Sequence, residues 1–268
     1  MSFIILALII GLCIGSFLNV VIYRLPIILQ HHSRDEPAPF SLALPPSHCP
    51  HCHHRLQWWQ NIPLLSFIIL RGKCTHCQTL IHWRYPLVEA LTAIAFGGLV
   101  MIYGIHITAI LAMIFTAFLL VLLFIDVEHL LLPDSLTLPL LWLGLLVNLF
   151  GYFTSLQSAV IGAAVGYLVL WVLFWAFKLI TGKEGLGYGD FKLLAALGAW
   201  CGWQALPWIL VLAALITLVV AISARFMRQR PLMQRFPFGP GLAIGGWYVL
   251  VYGHELMRWY LQISGLAH

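Results

Sequence analysis

The sequence has 268 residues and a formal net charge of +5 at pH 7; 62% of its residues are hydrophobic and 9% are charged. Soluble domains carry about 25% charged residues, so this composition excludes an ordinary soluble domain and a disordered chain and indicates a membrane protein. Six cysteines are also too few for a secreted scaffold held by disulfides.

Eight apolar runs predict eight transmembrane helices, because a helix needs roughly 17 to 25 apolar residues to cross about 30 Å of hydrocarbon. The runs lie at residues 2–23, 86–104, 107–125, 136–153, 157–179, 191–204, 205–224 and 238–261. The run 191–204 is short, and it counts as a span only if it tilts little or ends in the interface.

The distribution of basic residues supports the count of eight. Thirteen of the fourteen Lys and Arg residues fall on one side of this arrangement, mainly in the loops 24–85, 178–191 and 225–237. The positive-inside rule places that side in the cytoplasm and both termini on the other side. Without the short span, the basic cluster 225–235 would lie outside. The positive charge therefore reflects topology, and we expect no nucleic acid among the partners.

Polarity along the chain predicts three parts. Residues 1–24 form a first transmembrane helix, which lacks a basic leader region and a cleavage site and is therefore expected to be retained. Residues 25–85 form a polar cytoplasmic loop, and residues 86–268 form a seven-helix membrane domain. Within the loop, the apolar stretch Ile62–Leu70 is too short to span, so it is either a small core or a segment lying on the membrane.

The loop carries two Cys-x2-Cys pairs separated by 21 residues: Cys49 with Cys52, and Cys74 with Cys77. Four thiolates at this spacing predict a tetrahedral structural zinc site that stabilises a segment too small to build its own core. Two disulfides are the alternative, but a cytoplasmic location disfavours them. Catalysis by this zinc is not expected, since four thiolates leave no open coordination position.

Ionisable residues at the membrane edge are candidates for function, because their burial near hydrocarbon is costly. Asp126 ends the third predicted span and Asp190 precedes the sixth, so two crossings separate them and both reach the same face. Asp134 and Asp190 could instead be helix N-caps. Glu128 lies one position further into a loop and is expected to be more hydrated. Glu89 opens the second span, where the helix dipole would favour a structural role.

Asp190 follows three glycines, Gly185, Gly187 and Gly189, which suggest a sharp bend or a close backbone approach at the membrane surface. Asp190 at a helix N-terminus is expected to hold its charge, and Asp126 at a helix C-terminus is expected to hold its proton. If they meet, such a pair could activate a water molecule against an amide carbonyl.

Several motifs together resemble those of one family, the type IV prepilin peptidases. They lie in the family's order along nearly the whole chain: GSFLNVVIYRLP (15–26), the paired cysteine module, NIPLLSF (61–67), WRYPLVE (83–89), FIDVEHLLLPD (124–134), KEGLGYGDFKLLAALGAW (183–200) and FPFGP (236–240). The segment from Gly185 onward is most similar to the type II secretion branch.

The resemblance implies a multi-pass inner-membrane aspartic protease of the GxGD class. Such enzymes cut the basic leader from prepilins or pseudopilins at a Gly-Phe junction on the cytoplasmic side and then methylate the new N-terminus with S-adenosylmethionine. Asp126 and Asp190 match the family's catalytic aspartates, Gly187 and Gly189 belong to the second aspartate's motif, and the four cysteines match its zinc module.

The resemblance leaves the S-adenosylmethionine site undefined; the cytoplasmic loop is implicated, and Glu89 is a weak candidate. Membrane lipids are the other expected partners. From the residues alone, a transporter, or an assembly or scaffold protein with a zinc module and no catalysis, is the alternative.

Overall fold

A computed structural model describes residues 2–34, 40–183, 185–228 and 237–263. Within these ranges the chain is helical without a β-strand, which confirms the predicted all-α class. The helices are α1 (Ser2–His32), α2 (Leu65–Ile69), α3 (Arg84–Tyr103), α4 (Ile107–His129), α5 (Asp134–Leu149), α6 (Leu156–Thr181), α7 (Tyr188–Cys201), α8 (Leu206–Arg228) and α9 (Gly239–Ile263).

Every predicted apolar run coincides with one of the long helices, α1 and α3 to α9. By length and composition, five described segments could cross a membrane: Ser2–His32, Arg84–Tyr103, Ile107–His129, Leu156–Thr181 and Trp203–Ser223. These five segments agree with a multi-pass membrane protein. The count of eight crossings is not confirmed, because α5 and α7 are shorter, with 16 and 14 residues, and α9 is not among the five segments.

The chain divides into two compact units, residues 1–121 and 122–268, and the boundary falls inside α4. The three parts predicted from the sequence followed changes of polarity along the chain. These two units follow contacts between helices, so the two divisions describe different properties of the molecule.

In the first unit, α1 packs closely along α3. Gly11 and Gly15 of α1 face α3 so closely that an added Cβ would lie 2.6 Å from Ala93 Cα and 2.7 Å from Glu89 Cα respectively. Small residues allow membrane helices to approach in this way, since lipid offers little hydrophobic drive for their association.

In the second unit, α7 is surrounded by α5, α6 and α9. Nearly every residue from Asp190 to Trp200 is buried. A helix that is apolar on all sides requires such an environment, and this burial explains why the segment 191–204 shows no polar face. The 14 residues of α7 rise about 21 Å, which is less than the thickness of the hydrocarbon core.

The C-terminal end of α7 is capped by the side chain of Asn148 from α5. Its amide Nδ2 donates to the carbonyls of Ala199 at 2.8 Å and Trp200 at 3.0 Å, and its Oδ1 accepts from the N–H groups of Phe153 and Thr154. A helix that ends inside a protein needs such partners for its last carbonyls. Asn148 therefore supplies hydrogen-bond partners for two carbonyls at the buried end of this short helix.

Candidate active site and zinc centre

Asp126 lies in the last two turns of α4 and is buried. Its Oδ2 accepts a hydrogen bond of 3.0 Å from the backbone N–H of Gly239, the first residue of α9. A Cβ added at Gly239 would lie 2.5 Å from the same oxygen, so only glycine lets the backbone come this close. The carboxylate thus sits at the N-terminus of a helix distant in sequence, where partial positive charge favours an anion.

Asp190 is also buried, and it lies in the first turn of α7. The N-cap of this helix is Gly187, so the N-cap interpretation of Asp190 is wrong. Instead, Asp190 Oδ2 accepts a hydrogen bond of 3.0 Å from the Gly187 N–H. Gly189 packs against Leu132, whose Cβ would be only 2.6 Å from an added Cβ. A Cβ added at Gly185 would lie 3.0 Å from the Phe177 ring, whereas one at Gly187 would make only an ordinary contact of 3.4 Å. Gly185 and Gly189 therefore have the close contacts that the sequence suggested.

The two carboxyl groups lie in the same compact unit, near enough for the charge of Asp126 to act on Asp190. Each takes one backbone N–H through Oδ2, and no other described residue hydrogen-bonds to the second oxygen of either group. The expected difference in protonation between the two aspartates rested on the position of Asp126 at the C-terminal end of α4. The N-terminus of α9 offsets the effect of that position, since each aspartate lies at a helix N-terminus.

The other acidic candidates lie outside the pair. Asp134 is the first residue of α5 and the N-cap of α5 is Pro133, so the N-cap interpretation of Asp134 is also wrong. Both carboxylate oxygens of Asp134 contact Lys192 Nζ at 2.7 Å in a half-exposed ion pair. Glu128 lies in the last turn of α4, where a loop was expected, with its carboxylate 4.0 Å from the His129 ring.

Sequence reasoning missed Gly239 as a partner of the site. The available signal was the motif FPFGP, which contains Gly239 and was noted only as part of the resemblance. No local pattern could connect it to Asp126, because 113 residues separate the two.

The four cysteines converge as predicted, with their sulfur atoms all within 4.8 Å of one another. Zn–S bonds of 2.3 Å in a tetrahedron require sulfur atoms about 3.8 Å apart, and Cys49 Sγ and Cys77 Sγ are separated by 3.8 Å. Cys49 and Cys74 are buried and the other two are partly exposed. The donor set and its dimensions therefore fit a structural zinc ion.

The two halves of this centre have the same backbone geometry. Cys49 N–H donates to the carbonyl of His54, and Cys74 N–H donates to the carbonyl of Thr79, five residues ahead in each case. The residue before each acceptor, His53 or Gln78, has a positive φ. Such paired turns direct both cysteines of a knuckle toward one ion.

Hydrogen bonds prepare Cys77 for metal binding. The Thr79 hydroxyl lies 2.9 Å from Cys77 Sγ. This contact and the Thr79 backbone lower the pKa of Cys77 to about 6. The thiolate, which is the form that binds zinc, is therefore favoured at neutral pH.

Glu89 is buried where α1 meets α3. Its Oε2 accepts a hydrogen bond of 2.9 Å from the Leu64 N–H, and the Ser16 side chain also hydrogen-bonds to it. Leu64 has a φ of 58°, which is unusual for a residue with a side chain. Glu89 thus connects the loop before α2 to the helices, which agrees with the structural role expected for it; a role toward S-adenosylmethionine stays a prediction.

Comparison with known proteins decides the family. Residues 9–103 match the bacterial peptidase A24 N-terminal domain, and residues 113–222 match the type IV leader peptidase family. A protein of Aeromonas hydrophila called prepilin leader peptidase/N-methyltransferase is 52% identical, over 94% of this chain and 91% of the relative. The chain belongs to the type IV leader peptidase family.

Two further members of the type IV leader peptidase family carry the same name. The protein of Stutzerimonas stutzeri is 49% identical, and that of Pseudomonas aeruginosa is 46% identical; each comparison covers 99% of this chain and 96% of the relative. No solved structure matches the chain. The four cysteines lie within the first matched region, Asp126 and Asp190 lie within the second, and Gly239 lies beyond both.

Proposed function

We propose that this chain is a prepilin leader peptidase and N-methyltransferase, in which Asp126 and Asp190 carry out the cleavage. The observation that supports the proposal most is the pair of buried carboxyl groups, each held by one backbone N–H at a helix N-terminus. Relatives with this name match over nearly the whole chain.

The pair suits hydrolysis of a peptide bond by an aspartic protease mechanism. A water molecule between the carboxyl groups gives a proton to the ionised member as it attacks the carbonyl carbon, and the protonated member gives its proton to the carbonyl oxygen. Breakdown of the tetrahedral intermediate transfers a proton to the departing amine. The N–H groups of Gly187 and Gly239 hold one oxygen of each carboxyl group, which leaves the second oxygen of each for the water and the substrate.

The N-methyltransferase activity follows cleavage, since it acts on the amine that cleavage releases. S-adenosylmethionine supplies the methyl group when it is bound. Zinc would be held by Cys49, Cys52, Cys74 and Cys77 and would stabilise the fold of the loop between α1 and α3. Its four thiolates leave no position for substrate.

The proposed location is the bacterial inner membrane, with the aspartates at the cytoplasmic face. This orientation rests on the excess of Lys and Arg in the loops of one side. The proposed substrates are prepilins or type II secretion pseudopilins, cut at a Gly-Phe junction. Their basic leader would remain in the cytoplasm while the apolar helix that follows lies in the bilayer.

A cleavage assay with purified protein tests the proposal. A pilin precursor with a Gly-Phe junction is incubated with the unchanged protein and with Asp126→Asn, Asp190→Asn and Asp134→Asn. We expect the first two variants to lose cleavage while they remain folded, and Asp134→Asn to keep most of it, because its carboxylate forms an exposed ion pair outside the dyad. With S-adenosylmethionine present, the product should gain the mass of one methylene group, because a methyl group replaces one hydrogen of the amine.

Equal cleavage by all variants would refute the aspartate assignment. Absence of cleavage by folded, unchanged protein would favour the alternative, a membrane scaffold with a zinc module.

A further inference from the structure

The four-cysteine module, residues 40–83, presents an apolar helix face outward. Leu65, Ile68 and Ile69 of α2 are 57%, 69% and 68% exposed. Their spacing of three and four residues places them on one side of the helix. No residue of α2 is buried, so the apolar stretch Ile62–Leu70 does not form the core of the module.

Further apolar side chains of the module are exposed close to the start of α3. Leu80 is 75% exposed, and Trp83, the residue directly before α3, is 64% exposed. Exposed apolar surface of this extent in a small module indicates an interaction site. Tryptophan is also the residue most typical of the boundary between membrane and water.

The charge of the module identifies the class of partner. Residues 40–83 contain Arg55, Arg71 and Lys73 and no Asp or Glu. Arg71 and Lys73 lie in the turn after α2, which ends at Ile69, and are exposed, whereas the cysteine pairs are partly withdrawn from solvent. A basic surface beside apolar side chains matches anionic lipid headgroups above acyl chains. It would repel a positively charged peptide such as a basic leader.

The chain connectivity brings this surface to a bilayer. The module is joined at one end to α1 and at the other to α3, and both helices are long and apolar enough to cross a membrane. The module is therefore at high effective concentration near the lipid surface, so weak attraction is sufficient for docking.

We propose that α2 docks on the anionic surface of the bilayer in which the protein is embedded. Leu65, Ile68 and Ile69 enter the boundary between headgroups and acyl chains. Arg71 and Lys73 contact the lipid phosphates. The surface and the aspartate pair consist of different residues, and the proposal does not depend on the proposed function.

The test uses the full chain in nanodiscs of phosphatidylglycerol and phosphatidylethanolamine. A small fluorescent amino acid replaces Ile68 in one protein, Leu65 in a second and His51, an exposed polar position of the first knuckle, in a matched control. Nitroxide-labelled lipids quench a probe that lies in the bilayer, and iodide quenches one in water. Zinc content shows whether the module of each protein is folded.

We expect the probes at Ile68 and Leu65 to be quenched by the nitroxide lipids and protected from iodide, and the His51 probe to behave in the opposite way. Because one basic residue near an anionic surface favours binding by about fivefold, Arg71→Gln should lower the ratio of docked to undocked module by about that factor in anionic nanodiscs. It should have no such effect in phosphatidylcholine.

Two results would overturn the proposal. In the first, iodide reaches the probes on α2 as readily as the His51 probe. In the second, those probes are protected from iodide and from nitroxide lipids alike, which would mean that protein covers α2. An equal response of Arg71→Gln in both lipids would refute the role of charge.

Discussion

At the residue scale, each candidate catalytic aspartate depends on one glycine N–H supplied by a helix start. Gly187 precedes Asp190 by three residues, whereas Gly239 reaches Asp126 from far along the chain. Both bonds are 3.0 Å long, and each is accepted by the Oδ2 atom of its own aspartate. The orientation of each carboxyl group is therefore set by backbone, which moves less than a side chain would.

Gly239→Ala should reduce cleavage strongly, because the added Cβ would lie 2.5 Å from Asp126 Oδ2 and force the carboxylate to move. A displacement of about 1 Å at a reacting group can cost about 100-fold in rate, so we expect a loss of that order in kcat.

Gly253→Ala on the same helix is the matched control, because its Cβ would make only an ordinary contact, 3.4 Å from Val249 Cγ1. This control should cleave normally and gain up to about 1 kcal/mol in stability from its helix propensity. Normal cleavage by Gly239→Ala would contradict the role given to the close contact between Gly239 and Asp126.

At the element scale, α7 is the buried centre of the second unit, and its C-terminal end is stabilised by a side chain of α5. Asn148 donates hydrogen bonds to two carbonyls of α7 and accepts them from two N–H groups that follow α5. The indole Nε1 of Trp200 donates to the Leu140 carbonyl at 2.8 Å, which further connects α7 to α5. Polar side chains thus determine where an otherwise apolar helix ends.

Asn148→Leu should lower the free energy of unfolding by about 2–3 kcal/mol, because it leaves buried backbone groups without partners. Thermal unfolding in one detergent would measure the difference.

Thr137→Val is a suitable comparison on the same helix. Among the residues that the structure describes, the Thr137 hydroxyl bonds only to the Pro133 carbonyl, which also accepts from the Thr137 N–H. Its loss should therefore cost less than about 1 kcal/mol. Equal losses in the two variants would show that Asn148 has no special role as a cap.

The sequence predicted the parts of this architecture that depend on local patterns. Apolar runs located the long helices, and the spacing of Cys49 and Cys74 with their partners predicted a convergence that the structure confirms. Contacts between distant segments left no such pattern. Lys192 and Asp134 are 58 residues apart, and Asn148 is 51 residues from Ala199. Their pairing follows from how the helices pack, which periodicity does not encode.

At the scale of the whole molecule, the metal centre and the aspartate pair belong to different compact units. The cysteines lie in residues 1–121, and Asp126, Asp190 and Gly239 lie in residues 122–268. The two units are continuous through α4, and each is compact by its own internal contacts. Loss of structure in one can then occur without unfolding of the other.

Zinc removal should therefore have a local effect on structure. We expect a chelator, or Cys74→Ser, to raise hydrogen exchange in residues 47–80 to nearly the rate of an unfolded segment, since a metal of this kind supplies the folding energy of its module. Exchange in α5 and α7 should change little.

Cys13→Ser controls for the loss of a thiol, because Cys13 lies on α1 outside the cluster. Unchanged exchange in residues 47–80 after complete removal of zinc would contradict a structural role for the metal.

The short length of α7 has a consequence for the supply of water. A helix that rises about 21 Å falls about 9 Å short of the hydrocarbon thickness. Because α7 is enclosed by α5, α6 and α9, we expect at least one of its ends to lie below the membrane surface in a recess lined by protein. Asp190 stands in the first turn of this helix. A recess there would extend the aqueous boundary toward the carboxyl groups. Hydrolysis could then draw its water from the surface, and no hydrated channel through the bilayer would be needed.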